Sequence, residues 1–320
     1  MHPPTKTYSQ THNRVNSRLQ FWTSCLSDYE KMSGSETIPF LILVFLEASM
    51  AIFYHGENTR IVDLTFTLNT STIYWPGNPE YNFTILNRQE VGNYWYEDNY
   101  FSTAEHGGTH LDAPAHFYKG AWRTHEIPVE RLIGSGVIID VTPKATVDHD
   151  YRVQISDLQT WESKYGNIPQ GAIVLMNSGW TKRYPDKSLV FNSENTTDPE
   201  TFHFPAFHQD AVKWLIRHRN ISIVGVDTPS LDFGQTKNYP VHQLVGANNI
   251  IGLENVAYLH KVPEHGAIIF AGVAKLYDGS GGPARVIAIY TTDSSNYSTL
   301  ITIGIITVVL SLLIFRFCRL

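Results

Sequence analysis

Residues 105–117 read EHGGTHLDAPAHF and bring a dense group of reactive side chains into one short stretch. These side chains are His106, His110, Asp112 and His116. Gly107 and Gly108 argue against a helix, so the first two histidines are not separated by one helical turn. We interpret the stretch as a loop that runs into a strand. On a strand, His110 and Asp112 point to the same face, because side chains repeat every two residues.

This combination of side chains predicts a metal site. Two imidazoles and a carboxylate suit a borderline divalent ion, with Zn²⁺ as the first choice and Mn²⁺ as the alternative. His106 would reach the same ion through the glycine turn, where a positive φ is available. Three such ligands leave a position open for water or for a second ion. His116 titrates near neutrality, and we predict that it is the catalytic proton carrier.

Two questions about this stretch stay open at the level of sequence. The competing interpretation is a solvated histidine loop, or histidines that are hydrogen-bonded in a polar core. Further ligands must come from elsewhere in the chain, and spacing alone does not choose among them. The candidates are His125, His203, His208, His242, Glu254, His260 and His265.

The composition fits a globular protein and excludes a role in nucleic-acid binding. The chain has 320 residues, of which 42% are hydrophobic and 17% are charged, with a net charge of −6. This acidic balance leaves no basic footprint for nucleic acid. The two cysteines, Cys25 and Cys318, lie outside the predicted globular domain. We therefore expect no disulfide and no thiolate metal site in that domain.

Two apolar segments flank the central part of the chain. Ile38–Tyr54 is typical of a signal peptide that starts at Met32, or of an uncleaved signal anchor; a buried helix is the third interpretation. Leu300–Phe315 has no charge and precedes Arg316, which predicts a transmembrane helix with a basic cytosolic end; a GPI anchor is the competing interpretation. The predicted divisions are 1–54 (N-terminal extension and signal peptide or anchor), 55–295 (globular domain) and 296–320 (transmembrane helix with a short tail).

Sequons for N-glycosylation occur between these two segments. They start at Asn69, Asn82, Asn195, Asn220 and Asn296. A single sequon arises easily by chance, but a series of them agrees with a glycosylated domain outside the cytosol. The predicted localisation is therefore membrane-anchored, with a luminal or extracellular domain.

The pattern of apolar residues in the central domain predicts more strand than helix. The predicted strands are 60–68, 82–86, 94–103, 137–141, 172–176, 221–226, 267–271 and 285–290. The predicted helices are 158–165, which Gly166 ends, and 205–219. Residues 182–201 are polar and are expected to form a surface excursion. Strands that alternate with few helices indicate a mixed, sheet-rich α/β domain.

The stretch HGGTHLDAPAHF resembles the signature of the cyclase family of metal-dependent hydrolases. That family includes bacterial kynurenine formamidases and isatin hydrolases. GVDTPSLD (225–232) and HQLVGANNIIGLENV (242–256) resemble two further family segments, and Trp75 sits where members carry a substrate-pocket loop. The resemblance covers about residues 60–290.

The resemblance implies roles for individual residues. It makes His106, His110 and Asp112 the ligands of a first metal, with Asp112 bridging to a second ion. It supplies His242 and Glu254 as the remaining ligands, and His116 as the catalytic base. It also implies a β/β/α fold of packed β-layers with peripheral helices, assembled as a homodimer.

Three residues have weaker assignments. Trp75 is expected to stack on an aryl substrate, and a packed loop anchor is the competing interpretation. Asp227 and Asp232 are expected to orient the metal ligands from behind. For Asp227, a cap on the turn after its strand is the competing interpretation.

These observations predict metal-assisted hydrolysis of the carbon–nitrogen bond in a small aryl amide. The first candidate is arylformamidase activity, which cleaves N-formylkynurenine to kynurenine and formate in tryptophan catabolism. One alternative is the opening of a cyclic amide such as isatin. The other is a membrane-anchored binding protein that keeps the metal for structure, in a closed four-coordinate site.

Overall fold

The computed structural model describes residues 58–292, which fold mainly as β-strands with a few short helices. The strands are β1 (Thr59–Asp63), β2 (Asn82–Val91), β3 (Tyr94–Ser102), β4 (His110–Asp112), β5 (Ile133–Asp140), β6 (Arg152–Val153), β7 (Ile173–Asn177), β8 (Ala206–Phe207), β9 (Ile223–Val226), β10 (Ile251–Glu254), β11 (Ile268–Val273) and β12 (Gly281–Thr291). The helices are α1 (Thr142–Val147), α2 (Ile155–Tyr165), α3 (Lys187–Phe191), α4 (Gln209–Arg219) and α5 (Pro240–Ala247).

Eight strands form one sheet in the order β1-β12-β11-β5-β7-β9-β10-β4. Because β12 also pairs with β4, the strands from β12 to β4 close into a ring, and β1 lies outside it. Within this sheet, β5 pairs in parallel with β7, β7 with β9, and β9 with β10. The other pairings of the sheet are antiparallel. The long strand β12 has three partners: its first residues pair with β4, and its later residues pair with β11 on one side and β1 on the other. The short strand β4 is therefore held between β10 and β12.

The parallel strands bury both of their faces, which explains their nearly continuous apolar sequences. On β7, Val174 and Met176 point into the core that the helices cover, whereas Ile173 and Leu175 point into the core inside the ring. At Gly225 on β9, a Cβ atom would lie 2.6 Å from the side chain of Leu175. The close approach of neighbouring side chains thus requires a glycine at this position.

Helices α2 and α4 cover the outer core. The side chain of Asp157 and that of Gln154 cap the start of α2, and Gly166 ends it with a φ of 86°, as the sequence predicted. Helix α4 starts at Gln209, later than predicted, because Ala206–Phe207 pairs with β6 as a strand. His208 then caps the helix by accepting a hydrogen bond from the backbone of Asp210.

The polar region 182–201 contributes more to the interior than a surface excursion would. It contains helix α3, whose Val190 and Phe191 are fully buried. Phe191 stacks on Phe202 with ring centroids 4.1 Å apart, and both rings contact the edge of Trp75. The region therefore supports the loop that carries Trp75.

Strands β2 and β3 form a separate two-stranded hairpin. Eight large apolar side chains along it are exposed, including Trp95 and Phe101. Residue pairing places Phe83 opposite Phe101 on one face, while Tyr96 and Tyr100 lie on the other face. Since both faces are exposed, neither rests on the rest of the domain. We refer to β2–β3 as the arm.

The predicted fold is wrong in its layering. The sequence and the resemblance predicted packed β-layers with peripheral helices, whereas the main sheet of the described residues is one mixed sheet that closes on itself and is accompanied by few helices. The sheet closes because β12 is long enough to pair with β4 through its first residues and with β11 through its later residues. Residues Thr59–Thr292 form one compact unit, and the domain limits at 55 and 295 stay predictions.

The predicted transmembrane helix is also corrected. Within residues 58–292, no helix has the length and apolar character that crossing a membrane requires. This finding gives no support to the predicted C-terminal transmembrane helix or to the membrane-anchored localisation with a luminal or extracellular domain. The segments 38–54 and 300–315, on which that prediction depended, lie outside the described residues. The signal peptide and the glycosylation have no support from the described part of the chain.

Candidate metal centre

The first part of the site is built on two paired strands. Strand β4 carries His110 and Asp112 on one face, and β10 pairs with it so that Glu254 lies directly opposite His110. His110 Nε2 lies 3.3 Å from Asp112 Oδ1 and 3.4 Å from Glu254 Oε2. All three side chains are buried. The antiparallel register therefore brings two carboxylates and one imidazole together.

Helix α5 adds His242 to this cluster. His242 Nε2 lies 3.0 Å from Glu254 Oε1 and 3.5 Å from Asp112 Oδ2. Its other ring nitrogen donates to Asp232 Oδ2 over 2.8 Å. Asp232 also accepts hydrogen bonds from the backbone of Val241 and His242, so it fixes both the start of the helix and the orientation of the ring.

A glycine turn brings His106 to the other side of Asp112. His106 Nδ1 lies 2.7 Å from Asp112 Oδ1. Gly108 has a φ of 55°, which is the positive value that the sequence predicted for this turn. At Gly107, a Cβ atom would lie 2.1 Å from the ring of Tyr74, so the turn packs tightly against a side chain that lines the cavity described below.

The charges of the cluster perturb its titration. Burial acts to lower the pKa of His110, but contacts with Asp112 and Glu254 raise it to about 9. Burial likewise opposes protonation of His242, while Asp112, Asp232 and Glu254 hold its pKa well above the usual value. Burial acts to raise the pKa of Asp112, but three histidines hold it well below its usual range. Positive charge nearby therefore stabilises the buried carboxylates.

These residues fit a divalent metal ion. Two groups have ligand atoms within 4.8 Å of one another: the first is His106, His110 and Asp112, and the second is Asp112, His242 and Glu254. Asp112 belongs to both groups, and its Oδ2 is buried without a hydrogen-bond partner. Among the described residues, the ion pairs of Asp112 and Glu254 involve histidines and not lysine or arginine. Imidazole and carboxylate donors suit Zn²⁺ or Mn²⁺.

His116 lies beside the cluster and outside both groups. Its ring stacks on that of His106, with centroids 3.7 Å apart and an interplanar angle of 16°. Burial lowers the pKa of His116 to about 4, so the imidazole is neutral at pH 7. A neutral imidazole next to the metal ligands has a ring nitrogen that can take up a proton.

A cavity of about 290 Å³ opens over these side chains. Its floor consists of the histidines at 106, 110, 116 and 242 together with Glu254. Its apolar walls are Ile73, Tyr74, Trp75, Phe117 and Tyr239. Among the described residues that line it there is no lysine or arginine. The space therefore suits a small, flat and uncharged molecule.

Asp227 lies at the end of β9 and does not touch the predicted ligands. Its carboxylate accepts hydrogen bonds from the backbone of Ser178 and Trp180 and from the Ser178 hydroxyl. Burial raises the pKa of Asp227 to about 6. These contacts agree with the interpretation of Asp227 as a cap between neighbouring loops. Asp232, by contrast, contacts His242 directly.

Five of the candidate histidines lie away from the cluster. His125 is beside Tyr277, His203 pairs with Asp150, His208 caps α4, His260 lies against Tyr258 and His265 stacks on Tyr165. Of the seven ligand candidates that spacing left open, the structure thus brings only His242 and Glu254 to the strand β4.

Sequence reasoning missed several residues that surround the site. Phe117 and Tyr239 form walls of the cavity, and Glu105 and Ser280 form hydrogen bonds around His106. Phe117 and Glu105 stand directly beside predicted histidines in the sequence, which is a usable signal. Ser280 carries no such signal, because it lies just before β12, more than 170 positions away.

Comparisons with known proteins agree with this geometry. The Cyclase family model matches residues 62–233. An isatin hydrolase of Roseibium aggregatum is 29% identical over 244 residues, covering 73% of this chain and 88% of that protein. A kynurenine formamidase of Salinibacter ruber is 24% identical over 227 residues, covering 71% and 96% respectively. The solved structure of isatin hydrolase A from Ralstonia solanacearum has a TM-score of 0.67 and 32% identity, and the match covers 81% of this chain and 99% of that one.

Proposed function

The chain belongs to the Cyclase family and is a metal-dependent hydrolase, and on that premise we propose that it opens the amide ring of a small bicyclic aryl lactam such as isatin. The product of that reaction on isatin is isatinate, in which the ring nitrogen has become a free aryl amine. The reaction would take place in the cavity lined by His106, His110 and His242.

The absence of cationic side chains from the described cavity lining is the observation that carries this choice. N-formylkynurenine has an α-carboxylate and an α-ammonium group, which would be desolvated there without a lysine or arginine to pair with the carboxylate. Isatin is neutral and compact. Its desolvation therefore costs less, and aromatic walls such as Trp75 and Phe117 offer it stacking surfaces.

A divalent ion, Zn²⁺ as the first choice and Mn²⁺ as the alternative, supplies Lewis acidity at the site and lowers the pKa of a water. His106, His110 and Asp112 would hold it, and Asp112 would be shared with a second ion held by His242 and Glu254. Asp232 keeps the ring of His242 in one orientation.

His116 carries the proton in this account. Because its ring is neutral at pH 7, it can accept a proton from the attacking water. The oxygen of that water bonds to the carbonyl carbon, and the carbon–nitrogen bond breaks. His116 then returns the proton to the leaving nitrogen. The stack on His106 holds the His116 ring beside the metal ligands while it does so.

Arylformamidase activity is the second candidate. It is favoured by the relatives named kynurenine formamidase, such as that of Salinibacter ruber, of which the chain covers 96% at 24% identity. Asn78 and Ser230 line the cavity and offer uncharged polar groups for a larger substrate. The assembly proposed for either activity is a homodimer, with residues 55–295 as the globular domain.

The test is a direct comparison of substrates with the purified full-length protein. We expect hydrolysis of isatin with a kcat/KM at least about tenfold above that for N-formylkynurenine, which corresponds to about 1.4 kcal/mol of transition-state discrimination. A preference for N-formylkynurenine would replace the proposal with the second candidate. Metal binding without turnover of either substrate would favour a non-catalytic binding protein.

A further inference from the structure

Glu105 and Ser280 form a hydrogen-bonded chain that ends on the candidate ligand His106. The Ser280 hydroxyl donates to Glu105 Oε2 over 2.6 Å, and the Ser280 backbone N–H donates to the same oxygen over 2.9 Å. His106 Nε2 lies 3.0 Å from Ser280 Oγ. We propose that Glu105 and Ser280 are positioning residues that orient His106 for metal binding.

The direction of these hydrogen bonds determines which ring nitrogen of His106 would be left to bind a metal. The Glu105 carboxylate accepts the hydroxyl proton of Ser280, so that proton is not available to His106. The Ser280 oxygen is then left to accept from His106 Nε2–H. This leaves Nδ1, the nitrogen 2.7 Å from Asp112 Oδ1, as the one that can face a metal. A hydrogen bond from the second nitrogen commonly fixes a ligating histidine in this way.

The same arrangement recurs at the other two histidines, with different partners. His110 donates through Nδ1 to the backbone carbonyl of Gly108, and His242 donates through Nδ1 to Asp232. Both of these rings are buried, whereas His106 retains 18% side-chain exposure. His106 has the least packing to hold its ring, so its orientation depends most on its hydrogen-bond partners.

Glycines on both sides of Ser280 allow this close approach. At Gly281, a Cβ atom would lie 2.4 Å from His106 Cε1, so any side chain there would push the ring away. At Gly279, a Cβ atom would lie 2.4 Å from Thr124 Oγ1 and 3.1 Å from Glu105 Oε1. Thr124 in turn donates its hydroxyl to the backbone at Leu276 and Gly279. The loop that presents Ser280 is therefore fixed from both ends.

This inference rests on the proposed role of His106 as a metal ligand and is independent of the substrate. Its test is the dissociation constant of Co²⁺, measured on the full-length protein by competition with a chromophoric chelator. Ser280→Ala and Glu105→Ala are each expected to weaken binding by about 10- to 100-fold, the usual effect of removing such partners. Because both act through one chain, the double variant should bind no more weakly than the weaker single variant.

Two further variants separate the loss of His106 orientation from a general loss of folded structure. Glu105→Gln keeps a side-chain oxygen that accepts from Ser280, so its Co²⁺ affinity should stay within about threefold of the wild type. Glu200→Ala removes a surface carboxylate that pairs with Lys237, and it should leave both the affinity and the visible spectrum of bound Co²⁺ unchanged. If Ser280→Ala fails to fold, as judged by circular dichroism of the metal-free protein, the comparison of Glu105→Ala with Glu105→Gln carries the test.

The outcomes separate a failure of the proposed metal site from a failure of the positioning role alone. Wild-type protein that binds no Co²⁺ would overturn the proposed metal site itself. Wild-type binding with unchanged affinity in Glu105→Ala and Ser280→Ala would overturn the positioning role alone. If the losses of Co²⁺ affinity in the two single variants add in the double variant, Glu105 and Ser280 act separately. That result would also contradict a single hydrogen-bonded chain.

Discussion

His110 and Glu254 face each other across the pairing of β4 with β10, and His110 Nε2 lies 3.4 Å from Glu254 Oε2. Both side chains are buried, and Asp112 lies 3.3 Å from the same ring nitrogen. The imidazole is thus surrounded by negative charge that either a proton or a metal ion can balance. A metal ion and protons therefore compete for this site.

Metal affinity should rise with pH. Although burial alone would lower the pKa of His110, Asp112 and Glu254 raise it to about 9, so the metal-free site holds a proton below that pH. A metal ion must displace the proton, and affinity is lost as the pH falls. Between pH 7 and 9 we expect Zn²⁺ affinity to increase by about tenfold per pH unit for each proton released. Calorimetry in buffers of different ionisation enthalpy would count the protons; a flat pH profile would contradict the assignment of His110.

Replacement of His116 should separate catalysis from metal binding. His116→Ala removes the proton carrier but none of the candidate ligands. We expect kcat for isatin to fall by about 10²- to 10⁴-fold, as is usual for loss of a general base, with the metal content unchanged. The matched control is His260→Ala, because His260 is an exposed histidine outside the cavity. Equal loss in both variants, or loss of metal in His116→Ala, would argue against this role.

Trp75 should affect substrate binding more than the metal site. Its ring lines the cavity and packs edge-on against Phe202 and Tyr239. Trp75→Ala removes a stacking surface worth about 0.5–1.5 kcal/mol, so KM for isatin should rise by about 2- to 12-fold. Steady-state kinetics test this expectation, with Trp214→Ala on α4 as the control outside the cavity. An unchanged KM would leave Trp75 as a loop anchor only.

The arm should mediate the proposed homodimer. A two-stranded hairpin is marginally stable in water unless it packs on something, and both faces of this one are exposed. Its exposed apolar side chains are Phe83, Ile85, Leu86, Tyr94, Trp95, Tyr96, Tyr100 and Phe101. Aromatic side chains of this size contribute strongly to the stability of protein–protein interfaces.

Light scattering coupled to size exclusion would measure this assembly. Wild-type protein should have twice the chain mass of 36.2 kDa, and the double variant Trp95→Ser with Phe101→Ser should shift toward the monomer. Val147→Ser is the control, since Val147 is 88% exposed but lies on α1, away from the arm. A monomeric wild type would remove the basis for this role of the arm, as would a dimer that survives the double substitution.

Local features of the site were accessible from the sequence because they depend on short spacings. Residues two apart on a strand share a face, which is the relationship of His110 to Asp112. A pair of glycines allows a turn with positive φ, which is found at Gly108. The motif also carried the resemblance to the Cyclase family, and the match over residues 62–233 confirms it.

Features that depend on distant contacts were not accessible. The closure of the ring requires β12 to pair with both β4 and β11, and no local pattern encodes a double pairing. The predicted helix at 205 begins at Gln209, because Ala206–Phe207 pairs with β6 as a strand. The predicted strand 60–68 ends at Asp63, beyond which the hydroxyls of Thr65 and Thr109 accept backbone hydrogen bonds. Phe191 lies in a polar region of the sequence yet is buried against Phe202. Tertiary packing decides each of these cases.

The central claim, that Asp112 is the shared carboxylate of a metal centre, is tested most directly by metal analysis of the full-length protein. Wild-type protein loaded with Zn²⁺ or Mn²⁺ and freed of excess ion should retain one or two equivalents, measured by plasma mass spectrometry. Asp112→Asn removes the charge common to both ligand groups and should retain less than about a tenth of that metal while keeping its fold, because loss of a ligand costs more than the 10- to 100-fold loss typical of an outer partner. Wild-type protein without metal, or full retention by Asp112→Asn, would contradict the account.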